Sequence, residues 1–131
     1  MTELERISNE LQGYVDEFDR LNALIAYSAK LPQPSDALTT DENLIRGCQS
    51  KVWVKLDRRN STVYLEAYSD TRIIRGVLAI LKLVIDGSQE EILQSLDDSF
   101  LKRLRIDELL SANRRSGIHA IISKLKDLEK S

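Results

Sequence analysis

Apolar positions recur along this chain with two different periods, and the period changes where the architecture should change. Leu4, Ile7 and Leu11 fall three and four apart, the spacing that lines one face of a helix. Thr2 is placed to cap that helix, with Glu5 as its capping-box partner. Gly13 breaks or bends it. Val15, Phe18, Leu21, Leu24 and Ile25 repeat the pattern, so a second helix is expected with these residues on its core-facing side. It ends before Pro32, because proline pushes the preceding residue out of the helical region. Residues 31–40, with Pro32, Pro34, Ser35 and Asp36, read as a loop. Asp41 to Ile45 reads as a helical turn or short strand.

The period then becomes two. Val52, Val54 and Leu56 alternate with Trp53, Lys55 and Asp57, and Val63, Leu65 and Ala67 alternate with Tyr64, Glu66 and Tyr68. Each run predicts a half-buried strand. Residues 58–61 form the turn, with Asn60 as the left-handed residue, so the strands pair as an antiparallel hairpin. A lone hairpin is marginal, and helices must cover its apolar face. Helical spacing returns with Ile73, Ile74, Val77, Leu78, Ile80, Leu81, Val84 and Ile85, which fill more than one stripe and predict a central helix. Asp70 is the expected N-cap and Gly87 the terminating glycine. Ser88 with Glu91 reads as a second capping box, opening a short helix through Leu96. Phe100, Leu101, Leu104, Ile106, Leu109 and Leu110 imply one or two short helices. Ser111 leads into a last helix with Ile118, Ile121, Ile122, Leu125 and Leu128 on one face, and Lys124, Lys126 and Lys130 suit its C-terminal end. The expected class is α+β: a small antiparallel sheet of two or three strands packed against several helices.

Composition narrows the function. The 131 residues suit one domain, 1–131. Nineteen basic and 21 acidic residues leave a net charge of −2, without the basic stripe that nucleic acid requires. No apolar run reaches the ~20 residues that cross a bilayer, so no membrane association is expected. The N-terminus lacks a signal peptide's charged start and apolar middle. A cytoplasmic location is the expectation, and a free thiol persists in such a reducing compartment. With one cysteine and one histidine, neither an internal disulfide nor a metal site is expected.

The candidate chemistry gathers in Asn43 to Val54, which holds the single cysteine, Cys48, and the single tryptophan, Trp53. Gly47 precedes the cysteine. Glycine tolerates left-handed backbone angles and leaves room for another molecule to approach. A thiol at a loop tip, anchored by an apolar strand from Val52, is where a reactive group is expected. A lone cysteine is otherwise a small buried hydrophobe, Asp70 a helix cap, Trp53 a sheet-packing residue and Arg114 an exposed charge at the unfavourable end of a helix.

Gly47-Cys48-Gln49-Ser50-Lys51-Val52-Trp53 resembles the cysteine motif of the SufE family, SufE and its relative CsdE. Tyr68 to Gly76 is similar to that family's Ser-Asp block, here Ser69-Asp70 ahead of a helix with an early glycine. Ser111 to Ile118 is similar to its arginine-before-glycine block, and Leu24-Ile25 followed by Lys30-Leu31-Pro32 to the segment ahead of the cysteine. The resemblance implies a sulfur acceptor rather than an enzyme. Cys48 would take persulfide sulfur from a pyridoxal-phosphate-dependent cysteine desulfurase of the SufS or CsdA kind, stimulate that enzyme, and pass the sulfur to a SufB-like scaffold for iron–sulfur cluster assembly. The pyridoxal phosphate belongs to the partner, so no cofactor is expected here. Asp70, Arg114 and Gly47 would support the thiol, and the protein would be a monomer or homodimer.

Such transfer needs one nucleophilic thiolate. Arg46 and Lys51 are expected to raise the thiolate fraction, and an apolar shelter including Trp53 or Tyr68 to protect the persulfide between transfers. The rival readings are a cysteine-dependent hydrolase or transferase pairing Cys48 with His119, and a non-catalytic docking module whose cysteine is incidental.

Overall fold

Thr2 begins the first helix as its position implies. Its hydroxyl accepts the Glu5 N–H at 3.1 Å, and helix α1 runs Glu3–Gln12 with Ile7 and Leu11 buried. The computed structural model of the chain describes residues 1–97 and 99–130. Gly13 closes α1. Helix α2 (Glu17–Ala26) follows, with Asp16 accepting the Phe18 N–H at 2.7 Å as its cap. Here the expected core face is corrected. Val15 lies ahead of the helix and is 94% exposed, and Phe18 is 75% exposed. Leu24 is buried, and the large side chain buried with it is Arg20. The Arg20 Nε donates to the Leu11 carbonyl at 3.2 Å and its Nη2 to the Tyr14 carbonyl. A buried cation satisfied by the carbonyls that end α1 takes the place that apolar periodicity assigned to Phe18.

A 3₁₀ turn, Tyr27–Lys30, carries the chain to Pro32, and residues 31–40 are irregular. A second turn, Asp41–Asn43, precedes a bridge from Leu44 to Trp53, so residues 41–45 are turn and then strand-like. Strands β1 (Val52–Arg59) and β2 (Thr62–Ser69) pair antiparallel, with Val52 opposite Ser69 and Arg59 opposite Thr62. Both are longer than the alternation indicates, because the turn narrows to Asn60 and Ser61, with Asn60 at φ 59°. Val52 and Val54 of β1 and Val63, Leu65 and Ala67 of β2 are buried.

Helix α3 (Arg72–Ile85) has ten of its fourteen residues buried, so it is enclosed rather than laid on a surface. It packs on β2, on α2 and on the turn Tyr27–Lys30. Thr71, not Asp70, occupies its N-cap position, and no side chain caps it. Gly87, at φ 78°, ends this segment and donates to the Val63 carbonyl at 2.9 Å. Strand β3 (Ser88–Gln89) then pairs with β2, giving the order β1-β2-β3. The expected Ser88–Glu91 capping box is therefore absent. Ser88 is in the strand, its hydroxyl donates back to the Val84 carbonyl, and the 3₁₀ turn Glu90–Ser95 has no side-chain cap.

A single helical turn, α4 (Phe100–Arg103), and a 3₁₀ turn, Asp107–Leu109, lead to α5 (Ala112–Lys130). The Ser111 hydroxyl accepts the Arg114 N–H at 3.2 Å and caps α5. Ile118, Ile121, Ile122 and Leu125 are buried along it, and it packs on β1 and on the turn Glu90–Ser95. The architecture is α+β, a three-stranded antiparallel sheet with helices packed around one contiguous apolar core.

Candidate functional site

The loop 46–51 is pinned at its base. The Ile45 N–H donates to the Val52 carbonyl at 2.8 Å, and both side chains are buried. At its tip Gly47 has φ +92°, with open space where a Cβ would stand. That left-handed angle is the physical reason for glycine before the cysteine. It turns Cys48 back towards α5, where the half-buried thiol donates to the Gly117 carbonyl at 3.4 Å.

The outgoing arm is latched to the start of α3. Asp70 Oδ1 accepts the Lys51 N–H at 3.1 Å and the Thr71 hydroxyl at 3.2 Å. The Asp70 N–H donates to the Lys51 carbonyl at 3.2 Å, and the Ser50 and Thr71 hydroxyls share a hydrogen bond at 2.5 Å. Asp70, expected as a helix cap and as a support for the thiol, leaves α3 uncapped and bonds to the outgoing arm of the cysteine loop.

Cys48 borders a cavity of about 160 Å³ between this loop, the first residue of β1, α3 and α5. Val52, Ile74 and Ile121 supply apolar walls, while Ser50, Ser111, Asn113 and Arg114 supply polar groups. Cys48 and Arg114 are thus brought to one site. Arg115, one position along, is not. Its Nη1 donates to the carbonyls of Asp107 and Leu110, fixing the chain ahead of α5.

Other expected members fall elsewhere. Trp53 and Tyr68 face each other across β1 and β2, half-buried, and neither lines the cavity. Trp53 is a sheet-packing residue, and Arg75 lies over the Tyr68 ring at 5.4 Å. The apolar part of the cavity beside the thiol is aliphatic, not aromatic. Arg46 borders a separate depression against α5, and Lys51 lies outside the thiol's cavity. Burial pushes the Cys48 thiol above its ordinary pKa, so the expected gain in thiolate fraction is not found in this closed arrangement. The hydrogen bond to the Gly117 carbonyl works in the same direction, since it favours the protonated form. His119 lies two residues beyond Gly117, about 200° around the helix. It borders a different depression with Lys102, Asp107 and Arg115.

Gly117, Val52, Ile74 and Ile121 complete the site, and of these the sequence points only to Gly117, the glycine of the arginine-before-glycine block. The three aliphatic residues carry no signal, because each reads as ordinary core. Gly117 does carry one. A glycine inside a helix costs up to ~1 kcal/mol against alanine, and it often marks a close approach. A Cβ at Gly117 would lie 3.4 Å from the Cys48 Sγ, in contact with the sulfur. Among the described residues, no group of three or more His, Cys, Asp or Glu is placed to hold a metal ion. Among the same residues, no helix is long and apolar enough to cross a membrane.

Relatives match this chain along nearly its whole length. The sequence profile of the SufE family, described as an Fe-S metabolism associated domain, matches residues 5–129. An uncharacterised SufE-like protein of Rhizobium meliloti is 30% identical, over 96% of this chain and 94% of its own. One from Haemophilus influenzae is 32% identical, over 84% and 89%. The chloroplastic quinolinate synthase of Nicotiana tabacum is 29% identical over 94% of this chain, which spans only 18% of that protein. The solution structure of a hypothetical protein from Thermus thermophilus has the same fold, with a TM-score of 0.83 at 18% identity over 99% of this chain and 96% of that one. The chain belongs to the SufE family, whose domain is associated with iron–sulfur metabolism.

Proposed function

We propose that Cys48 is a persulfide-forming thiol that accepts sulfane sulfur from a cysteine desulfurase and hands it on for iron–sulfur cluster assembly. The observation that carries this reading is one thiol on a left-handed glycine loop, seated beside a cavity with aliphatic walls on one side and polar groups on the other, and latched by hydrogen bonds to Asp70. The Cys48 thiolate attacks the terminal sulfur of the partner's persulfide. A new S–S bond forms on Cys48, the partner's S–S bond breaks, and the partner's thiolate leaves and takes up a proton. No oxidant is consumed. A second exchange of the same kind, onto a thiol of a scaffold protein, discharges the carrier. Removing the sulfur frees the desulfurase and so stimulates it. The pyridoxal phosphate that generates the persulfide remains in the partner.

The closed arrangement suits a resting carrier. A thiol held protonated in an apolar niche is a poor nucleophile towards adventitious electrophiles. Opening the loop on a partner hydrates the sulfur and restores its ordinary acidity. Once the persulfide is made, Val52, Ile74 and Ile121 shield one side of the terminal sulfur from water. Arg114 and the first-turn N–H groups of α5 offer positive potential to its anion.

Intact-protein mass after incubation with a cysteine desulfurase and cysteine tests the proposal. The expected result is a gain of about 32 mass units per sulfur, reversed by reductant, and absent from Cys48→Ser. Stimulation of the desulfurase that survives in Cys48→Ser would overturn the mechanism. Hydrolysis of a small ester without any partner, lost in His119→Ala, would move the protein to the cysteine–histidine reading.

A further inference from the structure

We infer that the corner between α1 and α2 is a docking surface for a basic amphipathic segment of another protein, on the far side of α3 from the thiol. Every residue from 12 to 19 is exposed. Among them are Val15, 94% exposed, Phe18, 75% exposed, and Tyr14. Val15 and Phe18 put two large, open apolar side chains within four residues, the kind of exposed apolar surface that marks interaction sites where it is contiguous. Phe18 is also an aromatic anchor of the type that dominates binding energy at interfaces.

The corner is held in shape. The buried Arg20 guanidinium clamps the Leu11 and Tyr14 carbonyls, and Asp16 caps α2 through the Phe18 N–H. Val15 and Phe18 therefore stand outward on a fixed turn, and little ordering remains for a partner to impose.

Charge identifies the occupant. Asp16, Glu17 and Asp19 alternate with the apolar residues along the exposed turn, while Glu10 accepts the Tyr27 hydroxyl and shares a depression with Tyr14, Arg6 and Lys30 to one side. No lysine or arginine lies between Arg6 and Arg20 in the chain. Arg6 pairs with Glu3, and Arg20 is buried. The whole chain carries a net charge of only −2, so three carboxylates within residues 16–19 are a local concentration. A second copy of the chain would bring the same carboxylates against these, which like-charge juxtaposition opposes. An apolar face flanked by lysines or arginines complements both features.

The surface leaves the thiol free. α2 meets α3 at Gly76, where an added Cβ would lie 2.4 Å from the Leu24 carbonyl oxygen. The cavity of Cys48 meets α3 at Ile74, two residues and about 200° away. A partner on the corner and a partner on the cysteine loop thus address opposite sides of α3.

The probe is a synthetic helix with leucines on one face and lysines on the other, with a leucine–glutamate helix as its control. Anisotropy should show saturable binding of the lysine helix alone. Backbone NMR shifts should centre on residues 14–19, and the Cys48 alkylation rate should be unchanged at saturation. Val15→Ser with Phe18→Ser should weaken binding about tenfold or more, the scale of losing a buried aromatic anchor. Glu17→Lys, which keeps the apolar residues, should also weaken it and flatten its salt dependence. Shifts centred elsewhere, binding indifferent to both variants, or blocked alkylation would overturn the inference. So would concentration-dependent self-association of the free protein that Phe18→Ser removes, which would make a second copy the occupant.

Discussion

At the scale of single residues, the site depends on how one sulfur is kept and one glycine is bent. Burial raises the Cys48 pKa, so the folded chain binds the thiol proton more tightly than the unfolded chain does. The associated stability is complete below the unfolded thiol's pKa and is lost as pH rises through the folded value. Iodoacetamide alkylation of the native protein should accordingly rise with pH along a curve displaced above the free-thiol midpoint of ~8.5. A midpoint at or below that of a cysteine peptide would show that the thiol rests in water or beside a cation. Cys48 and Gly47 stand out in the sequence through the motif from Gly47 to Trp53, since a lone cysteine by itself reads as a small buried hydrophobe. Asp70 is legible as important but not in its role. An Asp before a helix reads as a cap, and only the folded chain places its carboxylate on the Lys51 N–H.

At the scale of elements, sequence patterning succeeds where one period holds over a whole element. The alternation in β1 and β2 and the all-round apolar surface of α3 come through. It fails on α2, a helix of ten residues in which the buried side includes an arginine. Periodicity cannot see that Arg20 will be satisfied by the Leu11 carbonyl of α1 and the Tyr14 carbonyl just beyond it, so it assigns Val15 and Phe18 inward. The α2–α3 contact also turns on a residue that pattern reading undervalues. A glycine inside a helix would ordinarily gain up to ~1 kcal/mol on replacement by alanine. At Gly76 the new Cβ would stand 2.4 Å from the Leu24 carbonyl oxygen, which belongs to a packed backbone. The steric effect wins, because neither helix can yield without disturbing the core around Leu24 and Ile80. Gly76→Ala should therefore destabilise by about 2–4 kcal/mol in urea unfolding, the range of severe overpacking. A neutral or stabilising result would show that α2 shifts freely over α3.

At the scale of the whole molecule, the site joins parts of unequal strength. Its walls, Val52, Ile74 and Ile121, come from β1, α3 and α5 and are themselves core residues. They are unreadable as a site because each behaves as any buried aliphatic does, and only the packing of three distant segments makes a cavity of them. The lid is different. Beyond the base at Ile45 and Val52, residues 46–51 are held chiefly by the Asp70 carboxylate, the Lys51 carbonyl and the Ser50–Thr71 hydroxyl pair, on exposed or half-buried groups. Such bonds contribute about 1 kcal/mol each, against a core that sets the global unfolding free energy. Local opening should therefore be separable from unfolding. Asp70→Ala removes the acceptor of the Lys51 N–H and of the Thr71 hydroxyl. It should speed Cys48 alkylation about five- to tenfold, the factor for roughly 1–1.4 kcal/mol off the opening free energy. The urea midpoint should move far less than it does in Gly76→Ala. Alkylation unchanged in Asp70→Ala would mean that the thiol is reached without releasing this latch. Alkylation that rises only in step with global destabilisation would mean that the loop opens only when the core does.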